Sequence, residues 1–471
     1  MKTITNIVNL ALVALAFPCF GPFTHAAGVN PPPDGGYPGG NTAEGQNALF
    51  SLTTGGFNTA VGWLSLRSDT AGSYNTAIGA GALISNTTAI SNTAIGVGAL
   101  LSNTTGGGNT ATGVFALASN TSGHSNTASG VSTLASNTTG FSNTATGNDA
   151  LGSNTTGGGN TATGAGALSS NTTAGENTAD GVNALASNSD SNALGNTAVG
   201  WSALFSNTDG GFNTATGDSA LVNNTTGGAN TANGAQALNN NTTGAGNTAM
   251  GGGALFNNTT GSGNIALGLN AGIGASTANH VICIGADGQN VSNSCYIGNI
   301  FNQNSFEGTG VFVNSAGKLG TNPSSRHFKE NIKPMNRASE AIMALKPVTF
   351  HYKADVKGTR QFGLVAEEVA NVCPDLVVRD KDGKPYTVRY DQVNAMLLNE
   401  FLKEHKKVEE QQATIGQLKS NAAKQDATIS ELKKDVGVLT AQLKEQATQI
   451  QRVSAQIEMG KRAPRVVLNN P

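Results

Sequence analysis

The chain has 471 residues, of which 38% are hydrophobic, only 5% aromatic and 12% charged, with 62 glycines and a formal net charge of −2. Hydrophobic cores stop growing well below this length, so one compact core is excluded and the chain must be modular. The charge is segregated: of 27 Lys and Arg residues only Lys2 and Arg67 precede Lys318, and the other 25 lie from Lys318 onward. No basic stripe for nucleic acid runs along the first two thirds, and Glu and Asp balance the Lys-rich remainder.

The first element is an apolar run from Ile7 to Phe20, led by Lys2 and followed by the small residues Ala26 and Ala27. This is the pattern of a secretory signal over residues 1–26, and Pro18 and Pro22 interrupt a run too short to span a bilayer. A Pro/Gly-rich linker over 27–40 follows. No membrane-spanning segment is expected in the mature chain, and no residue pattern is assigned to a metal or a cofactor. Export permits a disulfide between Cys283 and Cys295, whereas Cys373 reads as a buried thiol in an amphipathic segment.

A unit of consensus NTAxGxxALxSNTTGxx then repeats fourteen times. Its opening Asn recurs from Asn41 to Asn177, and again from Asn196 to Asn264 after a two-residue insertion in SNSDSNALG. Such a short period signals a solenoid of stacked coils, here expected over residues 41–280. Thr, Asn and Gly at this density disfavour helix, and Ser-Asn-Thr-Thr-Gly supplies turn chemistry. The reading is therefore a mainly β chain: a parallel β-roll or β-helix with two short strands per coil.

The third-position Ala and ninth-position Leu would line a thin interior, and the recurring Asn residues would stack into hydrogen-bonded ladders. The Asn-x-Thr triplets match glycosylation sequons, but the turns account for them. Trp63 and Trp201 share one coil position and fit either ligand contact or packing between chains. Seven repeat acids, Glu44, Asp149, Glu176, Asp180, Asp190, Asp209 and Asp218, occupy mostly different coil positions, which argues against a polysaccharide-degrading enzyme with two carboxylates facing one cleft. The NTAxG and AL pattern resembles the β-roll heads of trimeric bacterial adhesins and the repeat shafts of phage-like tail fibres, over roughly residues 41–270. Such adhesins end in a membrane-embedded barrel, and this chain ends in a polar coiled coil.

A β neck over 281–323 continues the Ile-Gly strand pattern and closes with a hairpin at Ser315-Ala316-Gly317. The composition changes at Ser324. Residues 324–407 read as a small α+β domain: helix, strand, strand, helix, a hairpin turned by Asp382-Gly383, and the start of a long helix. Ser-x-Arg-x-x-Lys-Glu-Asn-Ile from Ser324, Leu345-Lys346-Pro347-Val348 and the run Gln361 to Val369 resemble the C-terminal intramolecular chaperone domain of phage endosialidases and tail fibres. That resemblance implies a domain that trimerises, templates the fibre ahead of it and cuts itself off with a serine-lysine dyad.

Matched residue by residue, the nucleophile falls on Ser324, the base on Lys329 and the cut on the Pro323–Ser324 bond. Ser325 with Lys329 is a second pair, and His327 lies between the candidates. A Ser hydroxyl needs a base, and a Lys serves as one only when burial keeps it partly neutral. The competing reading is that these residues merely cap the first helix.

From 408 to 460 apolar residues follow three-four spacing, from Val408, Ile415 and Leu418 through Leu432, Leu443 and Ile457, with Gln411, Gln425 and Gln446 in the same seam. This is a coiled-coil pattern, and polar seam residues fix register. Residues 461–471 form a tail. The reading is a secreted or surface homotrimeric fibre, a single-turnover serine endopeptidase against itself, with a cell-surface glycan or receptor as outside partner. The alternative to self-cleavage is a purely structural fibre with an inactive dyad.

Overall fold

The structure, a computed structural model, describes residues 37–301, 303, 305–306, 308–314 and 316–460. The expected signal, most of the linker, Ser315 of the neck hairpin and the tail lie outside the described residues. The chain divides into two compact units, Met1–Asn304 and Ser305–Pro471.

The first unit is a parallel β-solenoid. Sixteen strands form one sheet in strict chain order, from β1 (Thr42–Glu44) to β16 (Cys295–Ile297). Each coil superposes on the next, as in Thr110↔Thr127, Ala111↔Ala128 and Thr112↔Ser129. The strands Ile282–Ile284 and Cys295–Ile297, from the stretch read as a neck, continue the same sheet. The third-position Ala and ninth-position Leu form the core, and Ala60, Leu66, Ala111 and Leu117 are all 0% exposed.

Each coil supplies one strand, not the two expected from the sequence. The reason lies in the Ala-Leu segment, where Gly98 sits at φ 65° and Leu100 at φ 53°, a left-handed backbone that cannot pair as a strand. Leu pays about 1–2 kcal/mol for that conformation. Full burial of the same side chain, worth about 1.5–3 kcal/mol, offsets it. The fifth-position glycine is obligatory for a second reason. Gly96 holds φ 137°, and a Cβ there would stand 2.4 Å from the carbonyl oxygen of Gly113 in the next coil.

Two buried asparagine ladders bind coil to coil. In the first, Asn126 Oδ1 accepts from the backbone N–H of Asn143 at 3.0 Å, and Asn126 Nδ2 donates to the Gly140 carbonyl at 2.8 Å. In the second, Asn137 Nδ2 donates to Asn120 Oδ1 at 2.8 Å and to the Gly140 carbonyl at 3.1 Å. Each ladder pairs residues 17 apart. The Gly140 carbonyl thus receives both ladders, and the ladders satisfy most of the buried amides of this thin interior, with Asn177 Nδ2 and Asp69 Oδ2 among the exceptions. The sequon residues Asn86, Asn103, Asn137 and Asn154 all belong to the second ladder and are 0% exposed. Their amide nitrogens are engaged in the ladder, so these four sequons are closed to glycan transfer in the folded coil.

The two-residue insertion is absorbed in a turn. Asn188 Nδ2 reaches the carbonyl of Ala193, five residues on, where other coils span three, and Asn207 still donates to Asn188 Oδ1 at 3.0 Å. Trp201 is exposed and Trp63 half-buried.

The expected Cys283–Cys295 bridge is not formed; both thiols are free. In the register Ile282 pairs with Cys295 and Cys283 with Tyr296, so the two cysteines are one residue out of step and point to opposite faces of the sheet. Cys283 lies in the core and Cys295 is exposed. Burial first, then the nearby Cys295 and Asp287, raise the Cys283 thiol, which stays protonated and unreactive.

The second unit opens with the antiparallel hairpin β17 (Phe312–Val313) and β18 (Leu319–Gly320). A 3-10 turn at Arg326–Phe328 and a 3-10 helix at Asn336–Ala344 follow, the latter where the sequence suggested a plain helix. β19 (Val348–Phe350) pairs with β20 (Gln361–Gly363), and β21 (Val377–Arg379) pairs with β22 (Pro385–Val388) around the Asp382-Gly383 turn. Between the pairs stands α1 (Ala366–Val372). The core is small: Ile342, Val369, Leu376, Val377, Val388, Val393 and Met396, with Cys373 half-buried against it.

From β22 the chain enters α2 (Tyr390–Gly460), one continuous helix of 71 residues. Its seam side chains are exposed in the single chain, Ile415 at 50% and Leu443 at 64%. No helix among the described residues is long and apolar enough to cross a membrane.

Candidate functional site

The site is built by one turn of chain. Ser325, in extended backbone, turns its hydroxyl to accept from the N–H of His327 at 3.3 Å, which starts the 3-10 turn Arg326–Phe328. The turn closes with the N–H of Phe328 on the Ser325 carbonyl and that of Lys329 on Arg326. Ser325 is therefore the cap. This leaves Ser324 just outside the turn and Lys329 just beyond it, and their side chains meet: Lys329 Nζ donates to Ser324 Oγ at 2.9 Å.

Of the two serine-lysine pairs read from the sequence, the structure brings together Ser324 and Lys329. His327 stands edge-on to Phe328, ring centroids 5.0 Å apart. Pro323, on the acyl side of the bond expected to be cut, immediately precedes Ser324, and residues 321–334 are exposed throughout.

As drawn, the ammonium donates to the hydroxyl. Attack by the Ser324 hydroxyl would need the reverse, an amine that accepts the hydroxyl proton. Phe328, next to Lys329 in the chain, and Ile332, three residues on, are 65% and 52% exposed.

Sequence reasoning did not find the best-connected polar group of this unit. Ser339, in the 3-10 helix at Asn336–Ala344, is 0% exposed, and its hydroxyl lies 2.5 Å from Glu400 Oε1 on α2. Lys403 Nζ donates to the same carboxylate at 2.7 Å. The lysine and the Ser339 hydroxyl hold the Glu400 carboxyl below its ordinary range. The partners stand 61 positions apart, so only a three-four spacing of Val393, Met396, Glu400 and Lys403 could have hinted that Glu400 faces inward.

In the solenoid, Asp69 occupies a second-ladder position that is Asn in the following coils. Its Oδ1 accepts from the N–H of Gly72 at 3.0 Å and from Asn86 Nδ2 at 3.2 Å, while its buried Oδ2 has no partner. Burial pushes this carboxyl up to about 6. The other repeat acids sit at scattered coil positions, apart from Asp190 and Asp209, which share one position in successive coils, and Glu44 and Asp180, which share the fourth position in distant coils.

No curated protein and no solved structure matches the chain. Residues 324–378, a stretch that begins on the candidate nucleophile, match the family of the chaperone of endosialidase, and the chain thus carries a C-terminal domain of that family behind a β-solenoid.

Proposed function

We propose that the protein is an exported homotrimeric fibre whose C-terminal domain aligns three chains and then releases itself by cutting the Pro323–Ser324 bond. The observation that carries this is the 2.9 Å contact between Lys329 Nζ and Ser324 Oγ at the first residues of the family match. The trimer is supported by the family and by α2, whose three-four seam is exposed along residues 408–460 among the described residues. An isolated helix gains little stability without packing, so a seam of that length calls for other copies.

The chemistry is balanced by groups on the same arm. The neutral Lys329 amine takes the Ser324 hydroxyl proton as Oγ attacks the Pro323 carbonyl carbon. The tetrahedral centre collapses with cleavage of the C–N bond, and the lysine returns the proton to the Ser324 nitrogen. Water then hydrolyses the ester, leaving a carboxylate on Pro323 and a free amine on Ser324. Each copy performs this once. Assembly would provide the burial that Lys329 requires, which ties the cut to the completed trimer.

The signal-like first 26 residues support export to the medium or the cell surface, where a glycan or receptor is the expected partner. The test is to express residues 27–471, denature fully and weigh the products. Two fragments dividing between Pro323 and Ser324 are expected; a single intact mass would refute self-cleavage.

A further inference from the structure

We propose that Ser339, Glu400 and Lys403 are positioning residues for the cut: a buried polar latch that fixes the arm bearing Ser324 and Lys329 to one turn of α2. The inference rests on the self-cleavage reading above and adds the part of the domain that holds the dyad in place.

The arm from 324 to 334 is exposed along its whole length, so its own contacts do not fix it. Six residues, 330–335, connect Lys329 to the 3-10 helix at Asn336, and Pro334 stiffens that tether. The 3-10 helix in turn packs on α2 through the latch. The Ser339 hydroxyl lies 2.5 Å from Glu400 Oε1, Asn399 Nδ2 donates to it at 2.6 Å and to the Asn336 carbonyl at 3.1 Å, and Lys403 Nζ stands 3.5 Å away. Lys403 also lies 3.7 Å from Glu340 Oε1.

Glu400 is the one buried charged side chain among the described residues of this unit. Burying a carboxylate gains nothing over an apolar side chain, as Val393 and Met396 on the same helix face show by forming core. Its use is selective. Sliding the 3-10 helix along α2 by one turn would keep the Lys403 pairing, which lies within α2, but would part the buried Ser339 hydroxyl from Glu400, so one arm position is favoured over its neighbours.

The same turns of α2 carry Leu397, 52% exposed, and Phe401, 67% exposed, which fall in phase with the seam read from Val408 onward. A helix ordered by neighbouring copies at Leu397 and Phe401 therefore presents Glu400 and Lys403 to the arm. The dyad is held where the helix is formed.

The experiment uses the full chain in two backgrounds. In the cleavable protein, the appearance of the 324–471 fragment is followed by mass. Glu400→Ala is expected to slow it roughly tenfold or more, the scale of one lost hydrogen bond to a charged group. Glu400→Gln, which keeps an acceptor for Ser339 but loses the Lys403 pairing, is expected to slow it less, and Ser339→Ala to fall between the two. Helix content and oligomer size should stay at the parent values.

In the Ser324→Ala background, amide exchange of residues 336–345 should quicken with Glu400→Ala while residues 366–388 stay protected. That readout decides the latch even if the parent protein never cuts, an outcome that would refute self-cleavage alone. Unchanged exchange at 336–345 would overturn the proposal. So would cleavage within twofold of the parent in both Glu400→Ala and Ser339→Ala, or a loss of helix content that parallels the loss of cleavage.

Discussion

Asp69→Asn should stabilise the solenoid, and only above a definable pH. The carboxyl is raised from an ordinary 3.8 to about 6, first by burial, against the opposing hydrogen bonds from Gly72, Asn86 and Thr70. A raised carboxyl binds its proton more tightly in the folded chain than in the unfolded one. Stability is therefore unaffected below about pH 4, falls as the pH rises through about 6, and stays reduced above it. The full difference of about two pK units corresponds to about 3 kcal/mol. Solvent close to this one-coil-thick wall screens part of it, so we expect about 1–2 kcal/mol. Asparagine removes the charge and places an amide where Oδ2 now lacks a partner, in reach of the Gly72 carbonyl by analogy with Asn86 on Ala89. Amide exchange over residues 58–92, with urea unfolding of the full chain at pH 4 and pH 8, measures the effect. An equal gain at both pH values, or no gain at pH 8, would refute the assignment of the strain to ionisation.

Three further outcomes follow from named contacts. Ser324→Ala and Lys329→Ala should each leave a single full-length species on denaturing mass analysis, whereas Ser325→Ala, which loses only a cap worth about 1 kcal/mol, should still cut. Asn143→Ala removes the acceptor of the Asn160 N–H and the donor to the Gly157 carbonyl, both buried, and should cost about 2–5 kcal/mol, read as faster exchange in the coils on either side. Gly113→Ala should cost at least as much, because the new Cβ would lie 2.3 Å from the Gly130 carbonyl oxygen at a φ of 137°; a variant with parent-like urea unfolding would show that the coils can shift apart.

The repeat was legible because its constraints are local and periodic. Ala60 and Leu66 are buried where the third and ninth positions placed them, and Asn126 and Asn137 form the ladders their recurrence suggested. The strand count was misread for a reason no propensity carries: Leu100 adopts a left-handed backbone only because the stacked coils bury it. Composition also suggested the cysteine bridge, but register decides such pairs, and Cys283 and Cys295 are one residue out of step. In the second unit, family-like motifs led to Ser324 and Lys329, whereas sorting Ser325 from Ser324 took the turn geometry of residues 325–329. The Ser339–Glu400 contact joins segments 61 positions apart and leaves no short-range trace.

If the domain is cut away as proposed, the repeat gives a reason for a fibre to carry it. Ladder bonds recur every 17 residues with nearly constant partners, so neighbouring chains displaced by one coil would face almost the same surface. The features that break the repeat are few: Asp69 near one end, the widened turn between Asn188 and Ala193, and Cys283 replacing Ala near the other. Each is a weak landmark, because a turn or a single side chain penalises a slip by only a few contacts. In a coiled coil, a long helix with Gln411, Gln425 and Gln446 in its seam would penalise the same slip at three levels, since a glutamine displaced by one heptad meets Leu or Val. On the proposed reading, alignment is thus concentrated in α2, and the latch at Glu400 passes it to the arm that ends the helix's role. Cutting after alignment makes the step irreversible: the solenoids keep their register because the unfolding barrier holds it, with no template left to reverse the choice.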